Sequence, residues 1–196
     1  MKQPANNWVL LTGGPHSGKS TLHAYLGKQG YAVKPEQARF VLDDYMARGI
    51  PAIDIMNNDV VGGRFQEEIA YKEIAEENKC NPNVLTFFDR SCIEYTAFIE
   101  LRNLTPNQAL LSQLATRSYG LAVILESIPM PFDENRLETN LVDPVAESKR
   151  QQAALIKAVQ ATGTALEFLP VMPTQERASQ VIAYCNQLGL ASEQIA

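Results

Sequence analysis

Between residues 13 and 20 the chain reads Gly13-Gly14-Pro15-His16-Ser17-Gly18-Lys19-Ser20, which completes the pattern G-x-x-x-x-G-K-[ST]. An apolar run, Trp8–Thr12, comes directly before it, and Leu22, Tyr25 and Leu26 follow at helical spacing. No other stretch limits the fold as strongly, because the pattern requires a strand to end and a helix to begin within a few residues. Glycines let the backbone curl so that successive N–H groups face inward, and the following helix presents the positive end of its dipole. A chain of phosphates is the ligand such a bend accommodates.

The chemistry assigns each position. Lys19 is expected to reach the β- and γ-phosphates of ATP, Ser20 to place its hydroxyl on Mg2+, and Thr21 to meet the α-phosphate. The whole loop Gly13, Gly14, Pro15, His16, Ser17, Gly18, Lys19, Ser20 and Thr21 is the expected ATP-binding segment, within which the His16 side chain receives no role of its own.

Further apolar runs, Tyr31–Lys34, Val84–Phe88, Leu121–Glu126 and Thr164–Leu169, alternate with longer stretches of helical period. That alternation predicts an α/β fold, a parallel sheet with helices on both faces. Ala38, Val41, Leu42 and Tyr45 share one helix face before a stop at Gly49 and Pro51. The last helix carries Ala178, Val181, Ile182, Cys185 and Leu188 inward and ends at Gly189, which makes Cys185 a core residue. Ser91 with Glu94, and Thr105 with Pro106 and Gln108, have the spacing of capping boxes. The segment Ser127–Ala146, with scattered Pro and Asn, has no periodicity, and a lid is expected within 127–150 of a single domain covering 1–196.

With 17 basic and 22 acidic residues the net charge is −5, so neither nucleic acid nor an anionic membrane is an expected partner. Cys80, Cys92 and Cys185 are odd in number and lack metal-ligand spacing, and the N-terminus lacks the features of a secretory signal. A cytoplasmic location is the expectation. A guanine-specific GTPase needs Asn-Lys-x-Asp after a later strand; Asn78-Lys79-Cys80-Asn81 lacks the Asp and precedes a strand. The Leu-Ser-Gly-Gly-Gln signature of transporter ATPases is absent too.

Taken in order, Gly13–Thr21, Pro35-Glu36-Gln37-Ala38-Arg39, Phe87-Phe88-Asp89-Arg90-Ser91 and Asp133-Glu134-Asn135-Arg136-Leu137-Glu138 resemble the NadR-like group of P-loop ATPases, which is related to nucleoside and nucleotide kinases. The resemblance implies a three-layer P-loop NTPase fold, a five-stranded parallel sheet of order 2-3-1-4-5 that sets the end of the third strand beside the phosphate loop. It also implies that Asp89 lies near Mg2+, directly or through water, or else serves as a helix-start carboxylate. Glu36 corresponds to the carboxylate with which related nucleoside kinases take the proton from the attacking hydroxyl. Arg90 is suited to a substrate hydroxyl or phosphate, or to a salt bridge. Arg39 either binds the acceptor or orients Glu36. Arg136, in the lid, either closes on the transferring phosphoryl group or remains an exposed loop residue. Arg177 is placed near the base. Asp43 and Asp44 receive no assignment, and Gly62-Gly63-Arg64 reads as either a mobile turn or a helix start.

Two functions follow. In the first, ATP with Mg2+ phosphorylates an unidentified small-molecule acceptor, nucleoside- or riboside-like, with Lys19, Glu36, Asp89 and Arg136 catalytic and Glu36, Arg39 and Arg90 holding substrate. In the second, the same nucleotide site drives a switch that reports to a protein partner. Neither the acceptor nor the oligomeric state is written in the pattern.

Overall fold

The computed structural model describes residues 6–127 and 144–190. Strands β1 (Trp8–Thr12), β2 (Ala32–Lys34), β3 (Thr86–Asp89), β4 (Leu121–Leu125) and β5 (Leu166–Leu169) form one parallel sheet of order β2-β3-β1-β4-β5. In chain order the helices are α1 (Lys19–Lys28), α2 (Ala38–Ala47), α3 (Ala52–Asn57), α4 (Asp59–Glu77), α5 (Glu94–Leu101), α6 (Gln108–Leu114), α7 (Pro144–Ala161) and α8 (Thr174–Gln187). Every residue of β1, β3 and β4 is buried, as expected of parallel strands covered on both faces. Side chains alternate across the pleat. Leu10, Phe88 and Ala122 pack with Ile93, Tyr95, Ile99, Leu110 and Val159 on one face, while Val9, Leu11, Phe87 and Val123 meet Leu22, Leu26, Val181 and Cys185 on the other.

Register carries the functional ends together. Leu11 pairs with Asp89 across β1 and β3, and Thr12 with Ile124 across β1 and β4. The C-terminal ends of the three central strands therefore open on one edge, where open α/β sheets place their ligands.

Several local expectations change. The Ser91–Glu94 capping box does not form: α5 starts at Glu94 without a side-chain cap, because the Glu94 carboxylate turns to Arg90 four residues back. At α6, Asn107 replaces Thr105 as the cap, its Oδ1 accepting the Leu110 N–H at 3.1 Å. Gly62-Gly63-Arg64 is not a turn: Gly62 closes the first turn of α4, its N–H donating to the Asn58 carbonyl at 2.8 Å, and a Cβ on it would collide with the Arg102 guanidinium. Cys185 is fully buried, as its helical position implied. Arg136 and most of the expected lid fall outside the described residues, and the tail of that segment is the first turns of α7. Among the described residues no helix is long and apolar enough to cross a membrane.

Candidate active site

The bend from β1 into α1 is closed and tightly tied. Gly13 has φ 143°, and a Cβ there would approach the Leu125 carbonyl oxygen to 2.5 Å, so only glycine allows β1 to leave the sheet against β4. Gly18, the residue before α1, has φ 79°. His16, given no part by its side chain, supplies a left-handed backbone at φ 56°, which costs a non-glycine residue strain that loops of this kind retain for function.

Lys19 opens α1 and folds back over the bend. Its Nζ donates to the carbonyls of Gly13 at 2.8 Å and Gly14 at 3.0 Å and to Ser17 Oγ at 3.1 Å. Burial, reinforced by the Arg90 charge, brings its pKa down to about 8, while Glu94, Asp89 and Glu36 act in the opposite direction. Those influences join the phosphate loop, the end of β3 and the segment after β2 in one electrostatic cluster. Ser20 and Thr21 are exposed in the first turn of α1.

Arg177, expected near the base, directs its guanidinium to three backbone carbonyls. Its Nη1 donates to the Ser17 carbonyl, its Nη2 to the Glu126 carbonyl at 3.3 Å and its Nε to the Pro170 carbonyl at 3.1 Å. The side chain is buried, and that burial lowers its pKa from the ordinary arginine value.

Asp89 ends β3, buried, with Oδ1 lacking any hydrogen-bond partner. An orphaned carboxylate oxygen at the strand end beside the loop is a donor suited to a hard dication, which takes one or two carboxylates together with phosphate and water oxygens. Ser20 offers the second oxygen. His23, four residues after Lys19 on α1, lies close enough to feel the Asp89 charge, but burial keeps its pKa below the ordinary histidine value.

The next residue turns sharply. Arg90 has φ 71° and donates its backbone N–H to the Leu11 carbonyl at 3.2 Å. Its guanidinium lies between two carboxylates, Nε 2.8 Å from Glu36 Oε1 and Nη1 2.9 Å from Glu94 Oε2, with the Phe98 ring 5.4 Å away. Burial opposes its charge, yet Glu94 and Glu36 more than offset that, and the pKa rises. Glu94 is itself buried, which raises its pKa against the pull of Arg90.

Beside this triad lies a cavity of about 170 Å³, lined by Glu36, Arg90 and Glu94 and by apolar side chains that include Phe65, Tyr95 and Phe98. Arg39 does not enter it. Its side chain is 79% exposed and reaches only Asp43, at 3.9 Å, so Glu36 is oriented by Arg90 and not by Arg39. Asp44 similarly pairs with Arg48. Arg150 pairs with Glu147.

Two site carboxylates escaped the sequence reading. Glu94 reads as a capping residue, although its i,i+4 spacing from Arg90 also fits an ion pair. Glu73, near the end of α4, accepts the Gln37 N–H at 2.9 Å and so holds the chain next to Glu36; nothing local in sequence signals that contact. Burial, with help from Glu77, Glu94 and Glu36, lifts the Glu73 pKa from 4.5 to about 8, although the Gln37 N–H opposes the shift. A carboxyl of this kind binds its proton more tightly in the folded chain. Its share of stability is therefore complete below about 4.5 and is lost as the pH climbs through about 8. Glu73→Gln is expected to flatten the decline of the unfolding midpoint across that window; a decline of unchanged size in the variant would assign it to other groups.

A parallel sheet of this order, with the phosphate-binding bend between β1 and α1, defines a P-loop nucleoside triphosphatase fold. The AAA domain family matches residues 8–177, and the chain belongs to that family. No curated protein matches the sequence. Among solved structures, deoxyadenosine kinase from M. mycoides with dCMP and a flexible dCDP bound is 13% identical, with a TM-score of 0.59 over 92% of this chain and 99% of that one. The same enzyme with dATP bound gives 14%, 0.57, 91% and 99%. Thymidylate kinase from Ehrlichia chaffeensis gives 12%, 0.54, 90% and 97%. At such identities the likeness is one of fold.

Proposed function

We propose that this protein is a small-molecule kinase that transfers the γ-phosphoryl group of ATP to a hydroxyl of a nucleoside- or riboside-like acceptor, in the manner of the NadR-like group. The observation that carries this reading is the cavity of about 170 Å³ bounded by the segment after β2, by α4 and by the stretch from the end of β3 into α5, with Glu36 on its wall. A switch that only binds and hydrolyses nucleotide has no use for an acceptor space there. The solved deoxyadenosine kinase of similar fold holds nucleotides, among them dATP, dCMP and dCDP, which agrees with a nucleotide donor.

In this reading Glu36 accepts the proton of the acceptor hydroxyl. Arg90 holds the carboxylate by an ion pair, its Nε 2.8 Å from Glu36 Oε1, on the wall of the cavity. Lys19 and the loop amides bind the phosphates, and Asp89 and Ser20 hold Mg2+. When bound, the ion supplies neutralisation of phosphate charge. Arg136 is assigned to the lid over the phosphates, as the family resemblance implies.

Charge narrows the acceptor. Among the described residues lining the cavity the only cation is Arg90, which lies within ion-pair distance of both Glu36 and Glu94. Among the described residues, a phosphate on the acceptor would meet two carboxylates and a single cation whose charge both already share, so the acceptor is expected to be unphosphorylated. The test is release of ADP from Mg-ATP by the full chain, measured with matched pairs of nucleosides or vitamin ribosides and their monophosphates. At least one unphosphorylated member should raise ADP release above the acceptor-free rate and yield a new phosphate ester. If every compound leaves the rate unchanged, the kinase reading gives way to the switch.

A further inference from the structure

A phosphate cradle needs its peptide N–H groups turned inward, which obliges the carbonyls of the same peptides to point elsewhere and find donors there. In this protein the donors are two side chains. Lys19 takes the Gly13 and Gly14 carbonyls, at the start of the bend. The Ser17 carbonyl, at its far end, is taken by Arg177, 160 residues away in the first turn of α8.

A trans peptide unit is planar, and its C=O and N–H point in opposite directions. The unit that ends in the Ser17 carbonyl begins the Gly18 N–H, so a donor fixed on one side of the plane directs the N–H to the other. Gly18 stands at φ 79° and has no Cβ to resist rotation of that plane. Without an external hold, this peptide is free to flip and turn a carbonyl toward the bound phosphates. Arg177 supplies the hold and is itself immobile, because its other two donor groups are anchored on the Glu126 and Pro170 carbonyls beyond β4 and β5.

We propose that Arg177 is a positioning residue of the nucleotide site: by clamping the Ser17 carbonyl to the ends of two strands, it keeps the Gly18 N–H facing the phosphates. The proposal rests on the reading of Gly13–Thr21 as a triphosphate cradle. It assigns Arg177 to pre-organising the bend, with no contact to base or phosphate. A lysine cannot substitute, since one ammonium lacks the planar fork that spans three carbonyls from three segments.

The experiment measures ATP affinity of the full-length Arg177→Ala and Arg177→Lys proteins by calorimetry, alongside their unfolding midpoints. Loss of a charge-assisted contact to the cradle is expected to weaken ATP binding on the order of 10- to 100-fold in both variants. Millimolar guanidinium ion, far below denaturing concentrations, should restore part of the affinity of Arg177→Ala and leave the wild type unaffected. A folded variant that binds ATP as the wild type does overturns the proposal, and so does a loss in Arg177→Ala that guanidinium leaves untouched, since that marks a merely structural role. If Arg177→Ala does not fold, the affinity of Arg177→Lys decides. A Lys19→Met control separates the two levels of inference: if it too binds ATP normally, the cradle reading itself is wrong, whereas loss in Lys19→Met with normal binding in the Arg177 variants removes only the clamp.

Discussion

Glu36→Gln is expected to reduce phosphoryl transfer by about 100- to 10,000-fold, the usual contribution of a positioned general base, while ATP affinity stays close to that of the wild type. Glutamine fits the same space and retains an oxygen for Arg90 Nε, which lies 2.8 Å from Glu36 Oε1 in the native site. The substitution therefore removes proton-accepting capacity and little else. Glu36 is not part of the bend that holds the phosphates, and its coupling to Lys19 is the smallest of the influences that shape the lysine's pKa. The decisive measurement is single-turnover transfer to the acceptor found by the compound panel, paired with calorimetric binding of ATP. A variant that transfers at the wild-type rate would remove Glu36 from the role of base and leave Asp89 or Glu94 to be examined in its place. A variant that loses ATP binding in step with transfer would show instead that Glu36 supports the architecture of the cradle.

The parts of this site that were readable in the sequence are those whose function depends on local spacing. The bend from Gly13 to Thr21 is legible because strand, glycines, lysine and helix must follow one another within a few residues, and the three central strands are legible because burial on both faces demands unbroken apolar runs, while the partly buried edge strands β2 and β5 show as shorter apolar runs between helical stretches. Strand ends were read within a few residues: β3 runs on to Asp89, where an apolar pattern alone suggests a stop at Phe88. What the sequence concealed was partnership over distance. Glu36 and Arg90 are brought together because β2 and β3 are neighbours, with Lys34 in register with Phe88, and no periodicity within either segment states that. The preference of Arg90 over Arg39 as the partner of Glu36 is likewise a product of topology, because Arg39, the second residue of α2, faces solvent. Arg177 is the extreme case. The family resemblance places it near the base, but nothing in its own segment states its partners, and only the packing of α8 beside α1 reveals that its guanidinium holds the Ser17 carbonyl.

Lys19→Met should weaken ATP binding by about 100-fold or more, because it removes an ammonium aimed at the most highly charged part of the ligand while keeping an apolar stem of similar length. The pH dependence gives this prediction its sharper form. In the free protein burial and the nearby Arg90 bring the Lys19 pKa down to about 8, so the side chain begins to lose its charge at a pH where an exposed lysine would hold it. Bound phosphates favour the ammonium and raise that pKa again. Binding therefore takes up a proton once the pH exceeds about 8, and the wild-type affinity is expected to fall by up to about tenfold per pH unit above that point. The ATP phosphates are already ionised in this range and contribute no matching slope. In Lys19→Met the group that titrates is gone, so its weak residual binding should be flat with pH over the same interval. Calorimetry from pH 7 upward, in buffers of different ionisation enthalpy, reads both the slope and the proton uptake. A wild-type affinity that holds constant up to the ordinary lysine value of 10.5 would mean that the buried ammonium is better compensated by Glu94, Asp89 and Glu36 than their positions imply. A slope that survives in Lys19→Met would place the titrating group elsewhere in the site. If instead the expected pair of slopes is found, Lys19 is the residue whose charge the cradle recruits when phosphates arrive, and its contacts with the Gly13 and Gly14 carbonyls are the resting position from which it does so.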